Sequence, residues 1–258
     1  MQATLDIALI QSDLLWEDPE GNREMFEGKI NSISEDIDLI ILPEMFTTGF
    51  TMEPQNIDIS EGNVTVKWMQ GLARENQVAL MGSIVFHEQD KFFNRLFFVS
   101  PEGRVETYDK KHTFTLAGED EVYEAGNQKL ILEYKGFKIC PMICYDLRFP
   151  VWARNMEDYD ILVYVANWPK KRINAWDTLL RARAIENMAY CIGVNRVGLD
   201  GMDYEYTGHS AVYDALGQKI GFSEEEEIIY ATLHKEHIES TRKKLRFLED
   251  RDNFSLIV

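Results

Sequence analysis

VALMGSIVFHEQDKFFNRLFFVSPEGRVETY, residues 78–108, decides the fold. Its apolar runs are separated only by HEQD (87–90) and SPEG (100–103), which leaves no length for a crossover helix. Strands joined this tightly pair antiparallel. Towards the N-terminus the pattern changes. Residues 5–11 read as a short buried strand, Met25, Phe26, Ile30 and Ile33 recur at helical spacing, and residues 37–42 form another apolar run. A helix over 64–76 presents Val64, Trp68, Met69 and Leu72 on one side. Towards the C-terminus, 130–134 and 137–143 form a pair joined across Lys135-Gly136, and Pro150 sits where an early helical turn accepts it. Alternation then resumes: a strand over 159–166, a helix marked by Ile173, Trp176, Leu180 and Met188, and a strand over 190–197. Residues 211–213 lead through Ala215-Leu216-Gly217 to Ile220 as a hairpin, followed past an acidic run by 228–233 and a short final helix. Helices alternating with strands, interrupted by antiparallel pairs, predict a layered α/β domain with mixed sheets rather than a purely parallel doubly wound sheet. No repeat or linker divides the chain, so residues 1–258 read as one domain.

Composition narrows the function. The chain has 44 acidic against 27 basic side chains, a net charge of −17, and 45% hydrophobic residues. Such a charge repels phosphate backbones and anionic headgroups, which excludes nucleic acid and membrane surfaces as expected partners. Three cysteines, Cys140, Cys144 and Cys191, are too few for a disulfide framework, and no C-x-x-C spacing suggests a metal knuckle. A reducing cytoplasm is the expected setting. The start, MQATLDIALI, has no basic n-region, and no run of about 18 apolar residues occurs, so neither export nor spanning is indicated. The EEEE run (224–227) reads as a solvated turn and RKKLR (242–246) as a helix end, with no partner assigned to either. The tail FLEDRDNFSLIV (247–258) ends in apolar residues that would dock on this domain or across a dimer.

Three polar features fall at the ends of predicted strands, where loops gather side chains into one pocket. Glu44 follows the strand IDLIILP (37–43); it is either a general base with a raised pKa or an ordinary solvated or capping glutamate. In YDKKHTF (108–114), Lys110 or Lys111 is placed to stabilise an oxyanion, although adjacent lysines also make a solvated turn. His112 beside them reads as a histidine bonded to backbone rather than a catalytic base. In KICPMICYDLRFP (138–150), Cys144 ends an apolar strand and opens a turn. That elbow exposes a nucleophile and offers the backbone N–H of Tyr145 to an oxyanion. Cys140 and Cys191 read as small buried hydrophobes.

The order of these segments resembles the carbon-nitrogen hydrolase, or nitrilase-like, family. LPEMFTTGF (42–50) resembles its first motif, YDKKHTF its second and ICYDLRFP (143–150) its third. The resemblance continues through ANWP (166–169), RARAIEN (181–187) and GHSAVYDALGQ (208–218), and so covers nearly the whole chain. It implies Glu44 as general base, Lys110 rather than Lys111 as the catalytic lysine, and Cys144 as nucleophile. Within AGEDEVYEAG (117–126) it implies Glu119 rather than Glu121 as the glutamate that positions the lysine. It further implies a four-layer αββα sandwich, paired subunits, no metal and no organic cofactor. The first motif, the AGE loop and NWP look most like the bacterial ω-amidase branch, whose members hydrolyse the terminal amide of 2-oxoglutaramate and 2-oxosuccinamate. A small-molecule amide is thus the expected partner, with an N-carbamoyl or aliphatic amide, or a non-catalytic binding role, as the alternatives. A 2-oxo acid amide needs a cation for its distant carboxylate. Arg148 is the first candidate, with Arg172 or Lys171 as alternatives, although Arg148 would also serve to brace the elbow through Asp146 or a backbone carbonyl. Phe46, Phe114, Tyr145 and Trp168 are the expected walls of the pocket.

Overall fold

Successive side chains of a strand point to opposite faces, and in Thr4–Gln11 both faces are apolar. Leu5, Ile7 and Leu9 lie on one face, Ala8 and Ile10 on the other, and all are fully buried. Such a strand needs cover on both sides. The computed structural model, which describes residues 3–256, supplies it. Its elements are β1 (Thr4–Gln11), α1 (Pro19–Asn31), β2 (Leu39–Ile41), α2 (Glu61–Asn76), β3 (Ala79–Glu88), β4 (Lys91–Val99), β5 (Val105–Asp109), α3 (Glu119–Val122), β6 (Leu132–Tyr134), β7 (Phe137–Ile143), α4 (Pro150–Ala153), β8 (Ile161–Val165), α5 (Ile173–Asn187), β9 (Tyr190–Val194), β10 (Val197–Leu199), β11 (Glu205–Thr207), β12 (Ser210–Tyr213), β13 (Lys219–Ser223), β14 (Glu227–His234) and α6 (Lys235–Leu245).

Two six-stranded sheets form, ordered β14-β1-β2-β3-β4-β5 and β13-β12-β9-β8-β7-β6. Ile7 and Leu9 share a core with Ile139 and Ile161 of the second sheet, whereas Ala8 and Ile10 pack with Phe26, Ile30, Met69 and Leu72 of α1 and α2. Trp176, Leu180 and Ala184 of α5 cover the second sheet, so the layers run helix, sheet, sheet, helix. Each sheet repeats one plan. β1, β2 and β3 are parallel, with antiparallel β14 on one side and antiparallel β4 and β5 on the other. β7, β8 and β9 are likewise parallel, flanked by antiparallel β6 and by antiparallel β12 and β13. The turn after β2 in one sheet therefore corresponds to the turn after β8 in the other.

The tight turns have the chemistry their length demands. Gln89 and Asp90 between β3 and β4, and Lys135 and Gly136 between β6 and β7, all take positive φ, as two-residue hairpin turns with native twist require. One sequence expectation needs correction, and two features go beyond the sequence reading. Val64 is 43% exposed, because the buried stripe of α2 is Gly62, Thr65, Met69, Leu72 and Ala73. The strand after the acidic run leaves the sheet of the preceding hairpin. β14 crosses to the first sheet and pairs with β1 from Thr4 opposite His234 to Gln11 opposite Glu227, since Ile229 and Leu233 join the core between the sheets. The small β10–β11 hairpin has no strong apolar alternation and is absent from the sequence reading.

Among the described residues no helix is long and apolar enough to cross a membrane. In the tail, Arg251 pairs with Asp158 at 2.7 Å, while Phe247, Phe254 and Leu256 remain exposed on this chain. Ile257 and Val258 lie outside the described residues.

Candidate active site

β7 ends at Ile143, and the chain turns at Cys144, with φ of 42°, into the short 3-10 turn Cys144–Arg148 that it opens. A positive φ is costly for a residue with a side chain, and here it throws the thiol out of the sheet into a cavity of about 480 Å³. Asp146 secures the elbow. Fully buried, it accepts from the Ile143 N–H at 3.0 Å, the Tyr108 hydroxyl at 2.7 Å and the His112 N–H at 3.0 Å, and it holds the His112 ring at 2.8 Å. His112 stacks flat on Phe149 at 3.7 Å. It orients the elbow through a carboxylate, not through backbone as expected, and stands outside the charged cluster.

Glu44 follows β2 on a turn fixed to β3: the Met45 N–H donates to Ser83 Oγ at 2.9 Å and the Phe46 N–H to the Ser83 carbonyl at 3.1 Å. Across the sandwich, the corresponding turn after β8 meets it. The Asn167 N–H donates to Glu44 Oε2 at 2.8 Å, and Asn167 Nδ2 donates to the Glu44 carbonyl at 2.6 Å. Lys110, one residue past β5, donates to Glu44 Oε1 at 2.8 Å and to Glu119 Oε1 and Oε2 at 2.9 and 2.8 Å. Glu119 opens α3, where the Phe114 N–H donates to its Oε2 at 2.6 Å; Glu121 is exposed. Glu44 and Glu119 are 0% exposed and Lys110 is 1% exposed, so these charges stand away from water and only mutual pairing makes that tolerable.

The electrostatics follow. Burial opposes charge on Lys110, but Glu119, Glu44 and Cys144 outweigh it and hold the ammonium well above its ordinary pKa. Burial raises the Glu119 carboxyl, Lys110 works against that rise, and Glu44 adds to it. Burial and then the Glu44 charge push the Cys144 thiol well above its usual value, with Lys110 in opposition. Cys144 therefore rests as a thiol. Cys140 and Cys191 are fully buried in the core, and burial raises both.

Phe114, Tyr145, Arg148, Trp168 and Arg172 line the cavity together with Cys144 and Lys110. Phe46 does not. It lies fully buried between the first sheet and its helices, 5.5 Å from Phe26, because it points away from the sheet interface that Glu44 faces. Arg148 does not brace Asp146, whose oxygens are taken by Tyr108, Ile143 and His112. Its guanidinium lies 4.8 Å over the Trp168 ring and has no ion-pair or hydrogen-bond partner among the described residues. Arg172 lies 5.0 Å over Phe114. Lys171 faces Tyr204, 5.9 Å away. Residues that sequence reasoning missed are Phe50, whose ring lies 5.1 Å from Lys110 Nζ, and Asn94, which donates to Glu44 Oε1 at 2.8 Å and Glu119 Oε1 at 3.2 Å. An asparagine inside the apolar FFNRLFF strand was the available signal for the second.

A thiol, an ammonium and two buried carboxylates meet between two mixed sheets, a set of groups chemically capable of attack on a carbonyl carbon and of binding an oxyanion, as in enzymes of the hydrolase class. The carbon-nitrogen hydrolase family profile matches residues 6–243, and this chain belongs to that family. It is 40% identical to omega-amidase YafV of Yersinia enterocolitica over 257 residues, 99% of this chain and 100% of that relative. It is 30% identical to 2-oxoglutaramate amidase of Bacillus subtilis over 252 residues, covering 95% and 96% of the two chains. A crystal structure of a carbon-nitrogen hydrolase superfamily protein from Xanthomonas campestris, with an arsenic adduct in its active site, matches with a TM-score of 0.95 and 40% identity over 98% of this chain and 99% of that one.

Proposed function

We propose that this enzyme hydrolyses the terminal amide of a small 2-oxo acid amide, 2-oxoglutaramate or 2-oxosuccinamate, to the 2-oxo diacid and ammonia through a thioester on Cys144. Arg148 carries the substrate reading. Its guanidinium, unpaired among the described residues, stands on the wall of the cavity that holds Cys144, braced against Trp168, four residues along the chain from the sulfur. A planar cation held this way is suited to a carboxylate. The names of the Yersinia and Bacillus relatives support the same substrate class.

In this scheme Glu44 takes the thiol proton as sulfur attacks the amide carbon. The carbonyl π-electrons move onto oxygen, where Lys110 and the Tyr145 N–H stabilise the charge. Collapse breaks the C–N bond, and Glu44 returns the proton to the leaving nitrogen, which departs as ammonia. Water then gives a proton to Glu44 and attacks the thioester, and collapse releases the acid and restores the thiol. Glu119 keeps Lys110 charged and in place. We infer a homodimer from the exposed Phe247, Phe254 and Leu256, and a cytoplasmic setting from three unpaired cysteines. Ammonia release over 2-oxoglutaramate, 2-oxosuccinamate, glutamine, asparagine and an N-carbamoyl amino acid tests the substrate; fastest turnover of the carbamoyl compound overturns it. Wild-type turnover in Cys144→Ala would overturn the mechanism.

A further inference from the structure

The Lys110 ammonium has three hydrogens. All three point at carboxylate oxygens: Glu44 Oε1 at 2.8 Å, Glu119 Oε1 at 2.9 Å and Glu119 Oε2 at 2.8 Å. In that state it has none left for an oxyanion. To bind one, it must release a carboxylate oxygen, and that oxygen must not be stripped of donors in a site closed to water.

Asn94 of β4 meets that requirement. It is 1% exposed and absent from the cavity wall, and its amide nitrogen approaches the same Glu44 Oε1 and Glu119 Oε1 that Lys110 holds, at 2.8 and 3.2 Å. Its amide oxygen is buried with no hydrogen-bond partner among the described residues. Turning the amide over would aim that oxygen at two carboxylates, so the orphaned acceptor is the consequence of directing both hydrogens at them. The main chain ties the same residue to the lysine: the Lys110 N–H donates to the Asn94 carbonyl at 3.1 Å.

We propose that Asn94 is a positioning residue for the hydrolysis, its two amide hydrogens holding Glu44 and Glu119 while Lys110 redirects one N–H from Glu119 to the oxyanion. Glu119 is the partner that yields, because it takes two of the three lysine hydrogens and keeps the Phe114 N–H at 2.6 Å afterwards. Glu44 meanwhile retains Asn94 and the Asn167 N–H, so the base does not move. The assignment rests on the roles proposed above for Glu44 and Lys110. The titratable groups acting on the thiol are Glu44, Lys110 and Glu119, with Tyr123 beside the carboxylates; Glu17, Glu53, Tyr145, Arg148, Arg172, Asp200, Tyr204 and Tyr206 line the same cavity.

The test uses full-length Asn94→Asp and Asn94→Ser. Turnover is followed by ammonia release, and the thiol by the pH dependence of Cys144 alkylation with iodoacetamide, which needs no substrate. The expected result is a kcat lower by about 100-fold with KM little changed. In Asn94→Ser, which adds no charge, the alkylation midpoint should rise by about one pH unit, because carboxylates that lose these hydrogens place more of their charge on the thiol. A purely structural asparagine would lower Tm and leave kcat and the midpoint of the folded enzyme unchanged, and that outcome overturns the proposal. A crystal structure of wild-type enzyme as the hemithioacetal of an aldehyde analogue gives a second reading that no variant's folding can disturb. There Lys110 should donate to the adduct oxygen and to a single oxygen of Glu119, with both Asn94 hydrogen bonds in place; three intact lysine–carboxylate hydrogen bonds overturn the idea. Normal alkylation in Asn94→Ser alongside an inactive Cys144→Ala sinks this inference alone, whereas an active Cys144→Ala sinks the reading beneath it.

Discussion

Replacing Lys110 with methionine keeps the stem of the side chain and removes the only cation that touches either buried carboxylate among the described residues. Glu44 would keep Asn94 and the Asn167 N–H, and Glu119 would keep Asn94 and the Phe114 N–H, so each anion retains neutral donors but no counter-charge. Breaking a buried pair in this way costs about 3–5 kcal/mol. The loss has a pH signature. Glu119 is already raised by burial with Lys110 opposing, so without the lysine the folded carboxyl rises further above its unfolded value. The folded variant then binds a proton that the unfolded chain has given up, and its stability falls as pH rises, by about 1.4 kcal/mol per unit over the window between the unfolded and folded carboxyl pKa values. Urea unfolding of wild type and Lys110→Met from pH 5 to 8 measures both effects. The expected gap is widest at pH 8 and narrows towards pH 5. Equal stabilities at pH 8, or a gap that does not change with pH, would refute the pairing argument. Ammonia release should fall about 100- to 1,000-fold in the same variant, the loss expected for one oxyanion donor.

Gly126 lies so close to the strand before the lysine that a Cβ there would stand 2.2 Å from the Asp109 carbonyl oxygen, while its N–H donates to the Lys110 carbonyl at 2.9 Å. Gly126→Ala should therefore displace Lys110, costing about 1–3 kcal/mol in thermal unfolding and a larger share of activity than of stability; a wild-type kcat would refute it. Arg148→Lys should raise KM for 2-oxoglutaramate about tenfold or more with a smaller change in kcat, because an ammonium lacks the flat fork and weakens the stack on Trp168; an unaltered KM would remove the carboxylate assignment. Asp146→Ala strands the Tyr108 hydroxyl and the Ile143 N–H and should lower stability by about 3 kcal/mol while slowing Cys144 alkylation. Unchanged alkylation in folded Asp146→Ala would show that the elbow stands without it.

Patterns that act within a few residues were legible along the chain. Apolar runs such as 37–42 and 159–166, punctuated by short turns, made the mixed α/β class readable, because period and turn length are local properties. The order of LPEMFTTGF, YDKKHTF and ICYDLRFP carried the family resemblance that selected Glu44, Lys110 and Cys144, each a polar residue just past the end of a strand. Folding settled what lies across long separations. Glu44 meets the Asn167 N–H over 123 residues and Asn94 over 50, and no pattern in the chain specifies either pairing. Phe46, two residues from Glu44, looked like a pocket wall and is core: unbroken alternation would put both on one face, but Met45 between them takes a φ of 43°, and the ring turns towards the helices. Only folding sets Arg148 on Trp168 rather than on Asp146, because the Asp146 oxygens are already claimed by Tyr108, Ile143 and His112. The residue types were written in the chain; which partner each one would find depended on how two sheets close over one another.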